Sequence, residues 1–568
     1  MAVISDATFR TLVVVGIFAA TFIAYANTFS NAFVWDDASS VLIHEDVKNA
    51  RLAALFTKDQ HAYGRGEGNF YRPLVSLSFV VDYLLTTWGQ EPALNSFGVP
   101  DISPFLFHLT NTFWHGLAGV FLFVLLARSG APRVVQVCVP LLYVVHPLHT
   151  EAVTYISGRA DPMAAAFGFA GLYFVVRSRT GSRRILAAIL AAACFALALL
   201  CKESALIFPV LALFFVLAGR TKSSGDDEQN RVGSPVPVLV ASAIVAVVYI
   251  ALRTTVLRFG SDSGSVSSGI GQRLVETLQA FALYVKLVFV PIDLHMERTL
   301  NGVGLWVAVV GAVLLLLCIG VAAWAVRNKH SRIAIAILWF IVTWLPISGL
   351  FPLNAPMAEH WMYVPLAGFL WALIELVCLA VRSPRGRAGI AIATYAAGLC
   401  LIAVTIQRNQ DWRTNGSIYE ATLEDNPASI RVTYNLAVTY DDLLNNESGA
   451  RRNYERVIEL YQQKKASEAG ESAEEMFWDE ELESHFSLGR IYMQQQRFDI
   501  AASHFSTMLR VKPTESTKPL LERAAVGIVQ SVMEMGRYDD AKQIVEQLKD
   551  RYPEISGELH ALVERAPA

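Results

Sequence analysis

The sequence predicts an all-α protein: a polytopic bundle of membrane-spanning helices, about eleven in number, followed by a C-terminal α-solenoid of helical repeats. Three observations carry this. Hydrophobic residues make up 54% of the 568 positions and charged residues only 17%, too few to coat a soluble surface of that size. The apolar residues fall in long runs up to about residue 406, separated by short basic breaks. Beyond that point charged and amide residues dominate. The net charge of −3 averages these two regimes and identifies no partner. All six cysteines lie in or beside apolar runs, with no CxxC pair, so neither a disulfide framework nor a cysteine metal site is expected.

A helix rises about 1.5 Å per residue, so about 20 apolar residues cross the hydrocarbon core. The expected spans are 9–27, 104–127, 133–148, 162–177, 184–200, 204–219, 236–252, 303–326, 333–350, 362–381 and 388–406. The first ends in Asn27-Thr28-Phe29 without a small-x-small cleavage pattern, and reads as a retained span rather than a signal peptide. Basic residues mark alternate loops: Arg128 and Arg133; Arg177, Arg179, Arg183 and Arg184; Arg220, Lys222 and Arg231; Arg327, Lys329 and Arg332; Arg382, Arg385 and Arg387. The positive-inside rule makes that side cytoplasmic, with the N-terminus inside and the tail outside. The stretch 276–291, interrupted by Lys286, would break this parity and is expected to be interfacial or re-entrant. The expected domains are 1–406 in the membrane, with a long first outer loop at 28–103, and 407–568 outside.

The tail reads as tetratricopeptide-type repeats. In 484–515, Leu488, Gly489, Tyr492, Ala501, Phe505 and Pro513 stand where that helix pair needs small and bulky packing residues and a closing proline. Residues 522–553 repeat the pattern with Ala525, Gly536-Arg537-Tyr538, Ala541 and Pro553. A looser copy begins near Val432, and a charged insert at about 464–481 follows it. Such arrays bind extended protein segments on a concave face. Two Asn-x-Ser sites, Asn415 and Asn446, fall on the outer side.

Polar chemistry gathers in the outer turns. Asp36 and Asp37 follow the first span, where a carboxylate can take a proton from a hydroxyl or serve as a loop cap. Arg72 precedes an apolar helix. His108, Asn111 and His115 share one face of the second span, lining a cavity or bonding between helices. His146, His149 and Glu151 form an HxxHxE set, but Pro147 breaks its helical spacing and zinc sites commonly use other patterns, so no metal is expected. Arg159 is expected to fork onto phosphate oxygens as an anion clamp. Lys202, Glu359 and His360, with the aromatic Trp361 and Tyr363, complete the outer set. Acids for a hydroxyl, cations for a phosphate and aromatics for a sugar face are the groups that glycosyl transfer from a lipid phosphate needs.

The strings FVWDD, YRPLVSLSF, FHLTN, HPLHTEAV with SGRADP, CKES, AEHWMYVPLAGF, and RNQDW followed by NPAS and YNLAVTY span nearly the whole chain. In that order they resemble the transmembrane and tetratricopeptide repeat-containing (TMTC) family, relatives of the protein O-mannosyltransferases with the GT-C membrane fold. The resemblance implies a glycosyltransferase that moves a sugar, mannose being expected, from a polyprenyl- or dolichyl-phosphate donor. The acceptor is Ser or Thr of a protein presented by the repeats, and the anomeric centre inverts. It implies Asp36 as general base beside Asp37. Arg159 and Lys202 bind the carrier phosphate, Glu151 and Glu359 orient the sugar or these cations, and no metal cofactor or nucleic acid takes part. Two alternatives remain at this stage: a lipid or glycan acceptor, or a membrane scaffold without catalysis. The chain departs from the family's AER motif, reading Ala358-Glu359-His360, so a permanent cation gives way to a titratable one. The short tail and alanine-rich spans favour a bacterial inner membrane.

Overall fold

The computed structural model describes residues 5–61, 63, 70–95, 98–179, 183–219, 234–255, 269–351, 353, 355–467 and 479–564. The chain divides into two compact units, Met1–Ser417 and Ile418–Ala568, so the first unit runs past the expected boundary at 406. The basic residues Arg220, Lys222 and Arg231, and most of the charged insert, lie outside the described residues. Among the described residues the regular structure is all-α; extended pairing is limited to isolated bridges, Leu94 with Pro100 and Arg298 with Met357.

Six helices of the first unit are long and apolar enough to cross a membrane: Asp6–Ser30, Phe105–Arg128, Val236–Thr255, Leu305–Arg327, Glu359–Ala380 and Pro384–Asp411. Shorter apolar helices, Arg133–Val144, Arg184–Leu199, Glu203–Leu217 and Ser331–Ile347, occupy four further expected runs, and Ala160–Ser178 holds the remaining one. The helix Arg133–Val144 stops before the expected 148 for a local reason. A residue before proline is driven out of the helical region, and His146, before Pro147, is extended. The stretch expected to be interfacial or re-entrant lies in one continuous helix, Ile270–Phe289, packed along Leu305–Arg327. Lys286 does not interrupt it, because its side chain is half exposed and paired with Asp293 at 3.5 Å.

The helix Phe105–Arg128 lies at the centre, against Asp6–Tyr25, Arg133–Val144 and Ala160–Ser178. Outer helices bury much less of themselves. Val240, Ile244 and Val247 on one, and Val309, Val313 and Leu316 on another, are exposed. Apolar faces of that extent suit hydrocarbon rather than water.

The second unit is a succession of helices: Ile430–Val438, Glu447–Ser467, Asp479–Gln494, Phe498–Met508, Lys518–Glu534, Tyr538–Leu548 and Ser556–Glu564, each packed on the next. Two of its turns are the same motif. Gln496 and Gly536 both take a left-handed conformation, at φ 59° and 73°. After each, the next amide reaches back across the helix end, Arg497 to the Tyr492 carbonyl at 2.9 Å and Arg537 to Val532 at 3.2 Å. Phe505 fills the space that two glycines leave. A Cβ on Gly489 would lie 2.5 Å from its ring, and one on Gly527 2.7 Å. The ring is held from both sides and cannot yield to either. Gly489→Ala is therefore expected to destabilise this unit by about 1–3 kcal/mol, read as faster amide exchange across 479–548 in the full chain.

Candidate functional site

The acid pair sits on a short segment, 31–37, whose backbone polar groups are tied to the end of the helix Pro384–Asp411 and the turn after it. Ala32 N–H donates to the Arg413 carbonyl at 2.9 Å. The Asn31 amide reaches the carbonyls of Asn409 and Trp412, each at 3.1 Å. Trp35 N–H donates to Asn415 Oδ1 at 2.8 Å. Trp35 itself has φ 51°, left-handed for a bulky residue; such a conformation costs about 1–3 kcal/mol and persists only where surrounding contacts impose it.

The two carboxylates have different environments. Asp37 is fully buried. One oxygen accepts Val34 N–H at 3.0 Å, and the other accepts both Ser157 N–H and the Ser157 hydroxyl at 2.8 Å. Burial nevertheless dominates over these bonds and pushes its carboxyl up to about 7. Asp36 is only partly buried and hydrogen-bonds with the Tyr155 hydroxyl. Beside it three rings stack in series: Trp35 on Tyr155 with centroids 5.5 Å apart, and Tyr155 on Trp412 at 5.4 Å.

A second group forms where the Glu359–Met362 turn meets the HPLHTEAV turn. Glu151 holds His360 through two contacts, Oε1 to Nδ1 at 2.8 Å and Oε2 from the His360 amide at 3.0 Å. Glu359 Oε1 accepts His295 N–H at 2.6 Å and Arg298 Nη2 at 3.1 Å. The Arg298–Met357 bridge and the Tyr284 hydroxyl, which bonds both backbone groups of Ala358, set the approach. Arg408 comes from the last helix of the unit. Its Nη1 donates to Asp411 at 2.7 Å, and its Nη2 stands 3.6 Å from Glu359 Oε2. Glu359 Oε2, Arg408 Nε and Nη2, and His295 Nδ1 are buried without a hydrogen-bond partner. Arg408 Nη2 and Glu359 Oε2 meet each other as an ion pair just beyond hydrogen-bond reach, and native proteins satisfy nearly all such groups, so a polar ligand can take up the remaining bonding capacity of the cluster. Sequence reasoning missed Arg298 and Arg408. The RNQDW string contains Arg408 at the end of an apolar run, where a cation marks the site; nothing around Arg298 distinguishes it.

The other expected residues mostly support these groups. Arg159 is not the open anion clamp that its sequence context predicts. It is fully buried, salt-bridged to Asp82 at 2.6 Å, bonded to Asn111 Oδ1 at 2.5 Å, the Phe107 carbonyl at 2.9 Å and Ser78 at 3.0 Å, with Phe79 under its guanidinium. No face of it remains for an outside phosphate. Asn111 does not line an open cavity; its amide nitrogen spans the carbonyls of Val153, Tyr155 and Ile156 at 3.0–3.2 Å, which fixes the loop carrying Tyr155. His108 is likewise buried, 3.2 Å from the Asn31 carbonyl. His146 contacts the Val288 carbonyl at 3.0 Å, and His149 is buried among Tyr143 and Tyr363. Lys202 pairs with Asp161 at 2.7 Å and Arg72 with Glu203 at 2.9 Å. The outer turns do converge: Asp37 is bonded to Ser157, two residues from Arg159. Among the described residues, no three His, Cys, Asp or Glu side chains are grouped as metal ligands.

Membrane-length apolar helices enclosing a partly exposed acid, an aromatic stack and a cluster of buried ions define a multi-pass membrane protein with a polar site at one end of its bundle. No family model matches the chain. It is 23% identical over 517 residues to the protein O-mannosyl-transferase TMTC3 of Mus musculus, covering 83% of this chain and 52% of that protein. To human protein O-mannosyl-transferase TMTC1 it is 25% identical over 508 residues, 78% of this chain and 54% of that protein. A shorter stretch of 196 residues, 34% of this chain and 21% of the relative, is 34% identical to Drosophila melanogaster protein O-mannosyl-transferase Tmtc1. These similarities bear out the resemblance to the TMTC family read from the sequence. The chain spans about half the length of the curated relatives it matches.

The Arg159–Asp82 pair gives a direct test of its structural role. Asp82→Ala leaves a buried guanidinium uncompensated and is expected to cost about 3–5 kcal/mol, seen as loss of folded protein in detergent. The double variant Asp82→Leu, Arg159→Met is expected to recover most of that loss.

Proposed function

We propose that this chain is a membrane glycosyltransferase that moves a sugar from a polyprenyl or dolichyl phosphate to a Ser or Thr hydroxyl of a protein. The observation that carries the reading is the environment of Asp36: a partly exposed carboxylate on a tightly bonded segment, flanked by the Trp35–Tyr155–Trp412 stack. Asp36 accepts the proton of the acceptor hydroxyl as its oxygen attacks the anomeric carbon. The bond from that carbon to the phosphate oxygen breaks, and the lipid phosphate leaves with the electron pair. Attack from the face opposite the leaving group inverts the centre. Trp35, the partly exposed end of the stack, suits the apolar face of a sugar ring. Arg408 and Arg298, rather than Arg159, meet the charge of the leaving phosphate, and the free Glu359 oxygen accepts from a sugar hydroxyl. This chemistry calls on no metal ion, because guanidinium groups take the role of the cation. The relatives' names as O-mannosyl-transferases support mannose and a protein acceptor. The basic loops support an outer position for the site and for the second unit, where the repeats present the acceptor.

The test is transfer from dolichyl-phosphate mannose to a Ser/Thr-rich peptide by the purified full chain. Asp36→Asn is expected to lower the rate about 10²–10⁴-fold with the protein still folded; unchanged transfer would refute the assignment. Asp37 adds a pH dependence. Ionised, its two oxygens accept all three bonds that hold the segment; protonated, one acceptor position is lost. With its carboxyl pushed up to about 7, transfer is expected to fall as pH drops through 7. Asp37→Asn is expected to remove that limb from the pH–rate profile.

A further inference from the structure

The segment carrying the acids receives a side chain from beyond the last membrane-length helix. Asn415 begins the helix Asn415–Asp425 that leads into the second unit at Ile418. Its Oδ1 is the acceptor for Trp35 N–H, at 2.8 Å. Trp35 is the residue in the left-handed conformation, and Asp36 follows it directly. The direction in which the Asp36 side chain leaves the backbone depends on that φ. The neighbouring bonds, Ala32 to Arg413 and Asn31 to Asn409 and Trp412, fix where the segment lies but not the peptide orientation at Trp35. The Val34–Asp37 turn, closed by Asp37 N–H on the Val34 carbonyl at 3.0 Å, encloses Trp35 and holds it from within. The Asn415 bond acts on the same residue from outside the turn and adds to its resistance to relaxing towards extended backbone.

We infer that Asn415 is a positioning residue for the transfer proposed above: its side-chain oxygen holds Trp35 left-handed and so aims the Asp36 carboxylate at the acceptor hydroxyl. This rests on the reading of Asp36 as the base. Asn415 touches no reacting atom. Losing its bond lowers the fraction of molecules with a correctly directed base, an effect on kcat rather than on donor binding. Asn415→Asp keeps an oxygen at the same place but adds a negative charge near Asp36. It keeps the acceptor for Trp35 N–H and so restores the geometry.

The experiment compares wild type, Asn415→Ala, Asn415→Asp, Asp36→Asn and, as a remote control, Asn446→Ala, all in the full chain. Two readouts are taken: kcat and KM with dolichyl-phosphate mannose and the Ser/Thr-rich peptide, and amide hydrogen exchange at Trp35. Loss of one hydrogen bond corresponds to about a tenfold effect. Asn415→Ala is expected to lower kcat about tenfold at unchanged donor KM and to speed Trp35 exchange about tenfold. Asn415→Asp restores slow exchange and recovers kcat, and Asn446→Ala changes neither. Wild-type kcat and exchange in Asn415→Ala overturn the inference, as does a rise in donor KM alone. Full activity of Asp36→Asn overturns the reading of the base instead, and the exchange data still decide whether Asn415 holds the loop.

Discussion

A guanidinium in the interior of an apolar bundle is costly unless its donors are met, and each nitrogen of Arg159 has a partner. The rest of the site stands on that arrangement. Asp82 and Ser78 bring in the helix Pro73–Thr87; Phe107 and Asn111 bring in Phe105–Arg128. Asn111, turned by its bond to Arg159, uses its amide group on the loop 153–156. That loop places Tyr155 in the aromatic stack and Ser157 on Asp37. A buried ion network thus does here what a backbone scaffold of strands does in other folds: it fixes loops that have little regular structure of their own.

Adjacent carboxylates acquire different roles through their surroundings alone. Asp37 is enclosed and fully bonded, so it holds shape. Asp36 keeps contact with the open side of the loop. The two acids, next to each other after the left-handed Trp35, differ in that Asp37 turns inward onto Val34 and Ser157 while Asp36 stays partly exposed beside Tyr155. The same logic distinguishes the cations. Arg159, Lys202, Arg72 and Arg408 each have a carboxylate within 3 Å, but only Arg408 among them also keeps buried nitrogens without a hydrogen bond.

The sequence made the apolar runs, the helix pairs of the second unit and the acid pair legible, because each depends on local patterning. Gly489 facing Phe505 could be read from spacing, and the structure has that contact. Partner choice was not legible. Arg159 in an outer turn looks the same whether it faces solvent or Asp82, and Asp82 sits in an apolar helix with nothing near it in sequence to distinguish it. Arg298 and Arg408 become part of a site only when the chain brings residues far apart in sequence against Glu359. The boundary at 406 was drawn where apolar character ends, but packing continues to Trp412, which is fully buried.

The seam between 31–35 and 409–415 joins the two extremes of the first unit, much as a clasp closes a bracelet. A fragment trimmed at the hydropathy boundary would lose Arg408, Asn409, Trp412 and Asn415 together. Any minimal version of the membrane part, or any chimera that grafts a different tail onto it, has to make its splice downstream of Asn415.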